Sequence, residues 1–208
     1  MKFNQLINQY LNEAKIRNRT IAVVPGAFRP PHKAHLDMVK FYASKADKVL
    51  VLISPDTPST KKKRVTPEGR YISYDVSKEM WDNYLQAAGL ALKVTTMISP
   101  SPSPVSAAYE FVANKDNSSY MAQPGEHVIL GVSTKGGDEI RFQKTAQDYA
   151  REGVTVEVIP FKAPTDLSAT QFRAAIDSAL DKNSIRPLMS FLPKNVDPNS
   201  ILQIFRQI

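Results

Sequence analysis

Five short apolar, β-branched runs alternate with segments of helical periodicity, and this alternation constrains the fold more than any other feature of the chain. The runs are TIAVVPG from Thr20, KVLVLIS from Lys48 to Ser54, ALKVTTMIS, HVILGVS and VTVEVIP. Short, apolar, β-branched runs of this kind are what parallel strands buried on both faces require. Between and after them lie helix-patterned segments: Lys33 to Ala46, then TPEGRYISYDVSKEMWDNYLQAAG, opening at Thr66 with Pro67 in its first turn. PSPVSAAYEFVANK, DEIRFQKTAQDYAREG and LSATQFRAAIDSALDK follow, the last with Ser168 or Asp166 as its cap. PDTPSTKKKRV, after the second run, reads as a loop. The pattern predicts a doubly wound α/β fold: a five-stranded parallel sheet joined by right-handed crossovers, with helices on both faces.

A chain of 208 residues fits one domain, 1–208. Within it we expect an N-terminal helix over 1–19, a core over 20–182 and a short helical tail over 183–208. Phe3, Leu6, Ile7, Tyr10 and Leu11 recur at helical spacing, while Pro187, Pro193 and Pro198 interrupt the tail. Both ends suit an interface between copies, so a homo-oligomer is one expectation. No apolar run approaches the ~20 residues that span a bilayer, and the N-terminus lacks the apolar centre of a signal peptide. With no cysteine there is no disulfide frame and no thiolate metal site. The expectation is a soluble cytoplasmic protein without a membrane partner. A net charge of +7 favours anionic partners, either nucleic acid or phosphorylated small molecules.

In a Rossmann-like sheet, ligands sit beyond the carboxyl ends of the strands, near the switch in strand order. After the first strand comes PGAFRPPHKAH, which places two of the chain's three histidines, His32 and His35, one turn apart at a helix start. Gly26 lets the backbone turn and approach a ligand. The N–H groups and dipole of the helix start favour phosphate, and two imidazoles there suit its oxygens. A metal site is the competing reading, but only one further histidine, His127, and no cysteine are available for it.

G-A-F-R-P-P-H-K-A-H resembles the G-x-F-x-P-x-H-x-G-H motif of the nucleotidylyltransferase superfamily, and most of all that of the nicotinamide-mononucleotide adenylyltransferases. Gly26, Phe28, Pro30, His32 and His35 match, while Ala34 replaces the usual glycine. The resemblance implies that His32 and His35 grip a triphosphate during transfer, and that Gly26, Ala27 and Phe28 bind the nucleotide. L-S-A-T-Q-F-R is similar to the second motif of that superfamily, I-S-S-T-x-x-R, with Ala169 in place of the commoner serine or glycine. It implies that Ser168, Ala169 and Thr170 hold nucleotide phosphates and that Arg173 is catalytic, supplying charge for the departing pyrophosphate. As plain helix chemistry, the serine and threonine would only cap the helix.

STKKKRVTPEGRY carries Lys61, Lys62, Lys63, Arg64 and Arg70, which by composition alone is a solvated basic loop. The same resemblance implies a catalytic Lys61, which matches the spacing best with Lys62 and Lys63 as close rivals, and Arg70 and Lys62 binding the acceptor's phosphate. G-V-S-T-K-G-G-D-E-I-R-F resembles the glycine-and-aspartate loop after the fourth strand, making Gly131, Asp138 and Arg141 candidates for the base and ribose. Asp138 as a simple helix cap is the alternative.

The implied activity is transfer of a nucleoside monophosphate, AMP from ATP, to a phosphorylated small-molecule acceptor such as nicotinamide mononucleotide, with release of pyrophosphate. Mg²⁺ is expected to be bound through the nucleotide phosphates. Two alternatives stand beside this: a cytidylyltransferase forming a CDP-activated alcohol or sugar, and an inactive nucleic-acid-binding or structural module of the same fold. The basic balance and the substitutions at Ala34 and Ala169 motivate the last.

Overall fold

The structure, a computed structural model, describes residues 19–113, 120–134, 142 and 146–208. The N-terminal helix expected over 1–19 falls outside them, apart from its last residue. Thirteen elements follow in order, beginning with β1 (Thr20–Gly26), α1 (Lys33–Ala43), β2 (Lys48–Ile53), α2 (Pro58–Lys63) and α3 (Tyr74–Ala87). Then come β3 (Val94–Ile98), α4 (Pro104–Ala113), β4 (His127–Ser133), α5 (Ala146–Tyr149), β5 (Thr155–Phe161) and α6 (Ala169–Asp181). A 3₁₀ turn (Arg186–Leu188) and α7 (Pro198–Phe205) form the tail.

The strands make one parallel sheet in the order β3-β2-β1-β4-β5. The chain winds outward from β1 through β2 to β3, then returns across the sheet to lay β4 against the other side of β1. That reversal sets the switch point between β1 and β4. Alternate residues of β1 serve opposite faces. Ala22 and Val24 join a core with Leu36, Tyr42, Trp81, Phe172 and Phe205, under α1, α3, α6 and the tail. Ile21 and Val23 join a second core with Ala107, Phe111, Val112 and Leu130, under α4 and α5. Both faces of β1 are buried, which is why its sequence is continuously apolar. Pro160 lies in β5, an edge strand, where its missing N–H leaves no inner ladder incomplete.

Two expectations need correction. The helix expected to open at Thr66 begins at Tyr74, with Ser73 as its cap (Val76 N to Ser73 Oγ, 3.2 Å). Residues 66–69 form a turn instead, closed by Gly69 N to Thr66 O at 3.0 Å with Gly69 at φ +86°. Glu68 N–H is taken by Asp177 of α6, at 2.9 Å, so a distant carboxylate replaces the helical bond. The expected loop after β2 contains α2, which starts on a Thr57 cap with Pro58 in its first turn. No helix of the described residues is long and apolar enough to cross a membrane.

Candidate active site

A cleft of about 310 Å³ opens at the carboxyl ends of β1 and β4, at the switch in strand order. The loop after β1 forms one wall. Phe28 takes a left-handed backbone conformation (φ +48°), which turns its ring back over Gly26. A β-carbon on Gly26 would sit 2.4 Å from Phe28 Cζ, so this glycine is demanded by the phenyl ring. The buried ring then meets His35 edge-on, with centroids 5.0 Å apart, and Trp81 at 5.5 Å.

His32 is the cap residue of α1, with extended backbone (φ −131°, ψ 174°), and His35 lies one turn on. Their rings stack, centroids 3.7 Å apart and 17° from parallel. The backbone N–H of His32 donates to Nδ1 of His35 at 3.2 Å. With Nδ1 accepting, the proton of neutral His35 sits on Nε2, a donor in the ring that lines the cleft. The first helical N–H, that of Lys33, is already bound to Phe191 O of the tail at 2.8 Å. That amide of the helix start is therefore satisfied within the protein, and the two imidazoles are what the helix start presents to the cleft.

Of the residues expected at the nucleotide, Gly26, Ala27, Phe28 and both histidines line the cleft. So do Gly131, Ser168 and Ala169. Ser168 caps α6, accepting from Gln171 N at 3.2 Å, while Gln171 Oε1 accepts from Ser168 N at 3.0 Å. Thr170 faces Arg173 instead: Arg173 Nη2 donates to Thr170 Oγ1 at 3.0 Å, and Nη1 donates to the backbone carbonyl of Arg29 at 3.0 Å. The buried Arg173 thus clamps α6 to the loop that carries the histidines.

Gly131 has a packing reason of its own. A β-carbon there would approach the Tyr42 ring to 2.7 Å. The Tyr42 hydroxyl enters the sheet between β4 and β5, accepting from Val132 N at 2.9 Å and donating to Ile159 O at 2.6 Å. Asp138 and Arg141 lie outside the described residues.

Residues 23–175, well over half of the chain, match the family described as cytidylyltransferase-like. The chain belongs to the cytidylyltransferase-like family. No curated protein matches it. Among solved structures it is similar to a bifunctional NMN adenylyltransferase/ADP ribose pyrophosphatase from Francisella tularensis, crystallised with AMP and a manganese ion. That likeness has a TM-score of 0.53 and 17% identity, and covers 91% of this chain and 51% of that one. It is similar too to a Plasmodium falciparum nicotinic acid mononucleotide adenylyltransferase complexed with APC, with a TM-score of 0.53, 9% identity, and 91% and 95% of the two chains covered. The chain thus spans about half the length of the Francisella protein and nearly all of the Plasmodium one. At these identities the likeness is one of fold.

In this cytidylyltransferase-like chain the basic loop after β2 stands apart from the cleft lining. Lys61 and Lys62 are exposed on α2, and Lys61 Nζ lies 5.9 Å from the centroid of the Tyr71 ring. Arg70 is engaged by three carboxylates: Asp177 at 2.5 Å, Glu68 at 2.8 Å and Asp181 at 3.1 Å. Burial opposes ionisation of Asp177, but hydrogen bonds from Thr66, Glu68 N–H and Arg70 outweigh it and hold the carboxyl below its ordinary value.

Sequence reasoning missed Arg29. It lines the cleft yet is fully buried, paired with Asp56 and bonded to Ser54 O, and its Nη1 donates to the Tyr71 hydroxyl at 2.9 Å. It stitches the ends of β1 and β2 together. The only local signal is an arginine set between Phe28 and Pro30 in a strand-end loop. Phe142 and Phe161, which give the cleft an apolar wall with Val105, were also missed. Among the described residues no group of three or more histidine, aspartate or glutamate side chains is placed to hold a metal ion.

Proposed function

We propose that the protein transfers AMP from ATP to a phosphorylated small-molecule acceptor and releases pyrophosphate. The observation that carries this reading is the stacked His32–His35 pair, lining a cleft at the β1–β4 switch point. An acceptor phosphate oxygen attacks the α-phosphorus and forms a new P–O bond. The bond from that phosphorus to the bridging oxygen breaks, and its electron pair leaves with pyrophosphate. The attacking oxygen is already ionised near neutral pH, so the protein's task is alignment and charge stabilisation.

Each element of the cleft has a part in this. His35, with its proton on Nε2, donates to a phosphoryl oxygen as charge builds, and His32 stacks behind it. Val105, Phe142 and Phe161 offer a surface for a nucleobase. Arg173 holds the histidine loop against α6 while adding positive charge. No described carboxylate lines the cleft, so a magnesium ion would arrive on the nucleotide's phosphates, neutralising part of their charge, with the protein contributing no cage. Nicotinamide mononucleotide, giving NAD, is the acceptor that the motif resemblance favours.

The test is to incubate the purified protein with ATP or CTP, Mg²⁺ and a panel of phosphorylated acceptors, and to measure pyrophosphate. Release with ATP and nicotinamide mononucleotide is the expected result. Release with CTP alone moves the assignment to cytidylyl transfer. No release with any pair, together with salt-steep binding to RNA or DNA, points to the nucleic-acid-binding module.

A further inference from the structure

Helix α1 has a hollow on each side. It turns Ala34, His35 and Met38 toward the nucleotide cleft, and Lys33, Leu36, Asp37 and Lys40 toward a second hollow of about 380 Å³. Those four residues stand at i, i+3, i+4 and i+7, one face of the helix. The end of α3 and the tail segment 193–196 supply the other walls. No residue lines both hollows, and the second falls within the roughly 300–1,000 Å³ of small-molecule sites.

Its walls are fixed by the fold. Leu36, Tyr84 and Val196 form an apolar floor and are well packed, at 0–6% exposure. The Tyr84 hydroxyl donates to Pro31 O at 3.2 Å, and Lys33 N–H donates to Phe191 O at 2.8 Å, which ties the tail to the start of α1. A ligand entering here meets ordered walls, so little conformational freedom is lost on binding. The rim is basic. Lys33, Lys40 and Lys194 bring three ammonium groups against the single carboxylate of Asp37, an excess of two positive charges. Among the described residues none of these four takes part in an ion pair, and the lysine that does is Lys78, with Asp82.

We propose that this hollow is a second ligand site, behind the histidine helix, for a small organic phosphate monoester with an apolar body. The apolar part lies on Leu36, Tyr84 and Val196, and the phosphate reaches the lysines at the rim. A phosphate monoester carries close to two negative charges near neutral pH, which matches the excess on the rim. A single carboxylate would balance half of it. Lys40 and Lys194 are exposed, so their ammonium groups are free to close on the ligand from opposite walls, α1 and the tail. The site does not depend on the transfer reaction, because none of its residues touches the nucleotide cleft.

The test is calorimetric titration of the full chain with 1-naphthyl phosphate, beside 1-naphthol, which lacks the charge, and inorganic phosphate, which lacks the apolar body. Two variants are titrated in parallel. One combines Lys40→Gln with Lys194→Gln, and the other is Ala87→Trp, which sets an indole in the hollow from an exposed position. Wild-type protein is expected to bind one naphthyl phosphate, about tenfold or more tighter than either control. The lysine variant is expected to weaken that binding about tenfold, and Ala87→Trp to abolish it. Unchanged affinity in either variant, with melting that shows it folded, overturns the proposal, because the probe is then bound elsewhere. If Ala87→Trp does not fold, the lysine variant decides alone. Inorganic phosphate bound as tightly as the naphthyl ester also overturns it, since the lysines would then act without the apolar floor. Wild-type protein that takes up no probe at millimolar concentration overturns it too, and light scattering then shows whether a second copy of the chain covers the hollow instead.

Discussion

The ring of Phe28 fills the space where a β-carbon on Gly26 would stand, its Cζ 2.4 Å from that position. The ring cannot yield freely, because it abuts His35 on one edge and buried Trp81 on another. Gly26→Ala is therefore expected to destabilise the protein by about 1–3 kcal/mol, as overpacking does. It should also displace His35, so turnover falls by more than stability alone explains. Urea denaturation and pyrophosphate release measured on the same preparation check both halves. An alanine variant of unchanged midpoint would mean that the ring has room to move.

His35→Ala addresses the chemistry directly. Removing one preorganised donor to a developing charge costs roughly 3–4 kcal/mol of barrier, or two to three decades in rate. His35 is only partly buried, so the variant should fold and melt close to wild type. The measurement is single-turnover pyrophosphate release at saturating ATP. Near-normal turnover would remove His35 from the mechanism.

The fold was more legible in the sequence than the site. TIAVVPG and HVILGVS coincide with β1 and β4 because continuous apolar runs between turn residues admit few other readings. The start of α3 was misplaced because Thr66 and Pro67 look like a helix opening, while the deciding partner, Asp177, lies 109 residues from Glu68. Arg29 escaped notice for the same reason: Ser54 and Tyr71, which hold it, are 25 and 42 residues further on. Local pattern reports the period of a segment. It does not report which distant carboxylate has already claimed a guanidinium, as Asp177 has claimed that of Arg70.

The Asp177–Arg70 contact predicts a pH signature. The carboxyl of Asp177 is held below its ordinary value of 3.8, so its bonds stabilise the fold fully above that value. The contribution is lost as the pH falls through the depressed folded value. Wild-type protein should therefore lose stability more steeply below about pH 4 than Asp177→Asn, which lacks the titrating group and is weaker at neutral pH. Denaturation midpoints of the two proteins between pH 7 and about pH 3 should converge as acid is added. Parallel curves would show that the carboxylate contributes nothing to tying α6 to the turn before α3.

Gly131 separates packing from binding. Its missing β-carbon is required by the Tyr42 ring, 2.7 Å from where that atom would be, while the Tyr42 hydroxyl bridges Val132 N and Ile159 O. Gly131→Ala is expected to lower stability without any nucleotide present, by about 1–3 kcal/mol. Tyr42→Phe removes the bridge and leaves the buried Val132 N–H and the part-buried Ile159 carbonyl without it, at a cost of about 1–3 kcal/mol. Tyr42→Leu removes the ring as well, so combining it with Gly131→Ala should cost less than the sum of the two single changes. Coupling of more than about 0.5 kcal/mol is the expected mark of a shared contact. If the glycine served only to let a nucleotide approach, Gly131→Ala would leave the ligand-free midpoint where it was and weaken ATP binding alone. The geometry at Tyr42 favours the first outcome, because the ring already occupies the space that the methyl group needs.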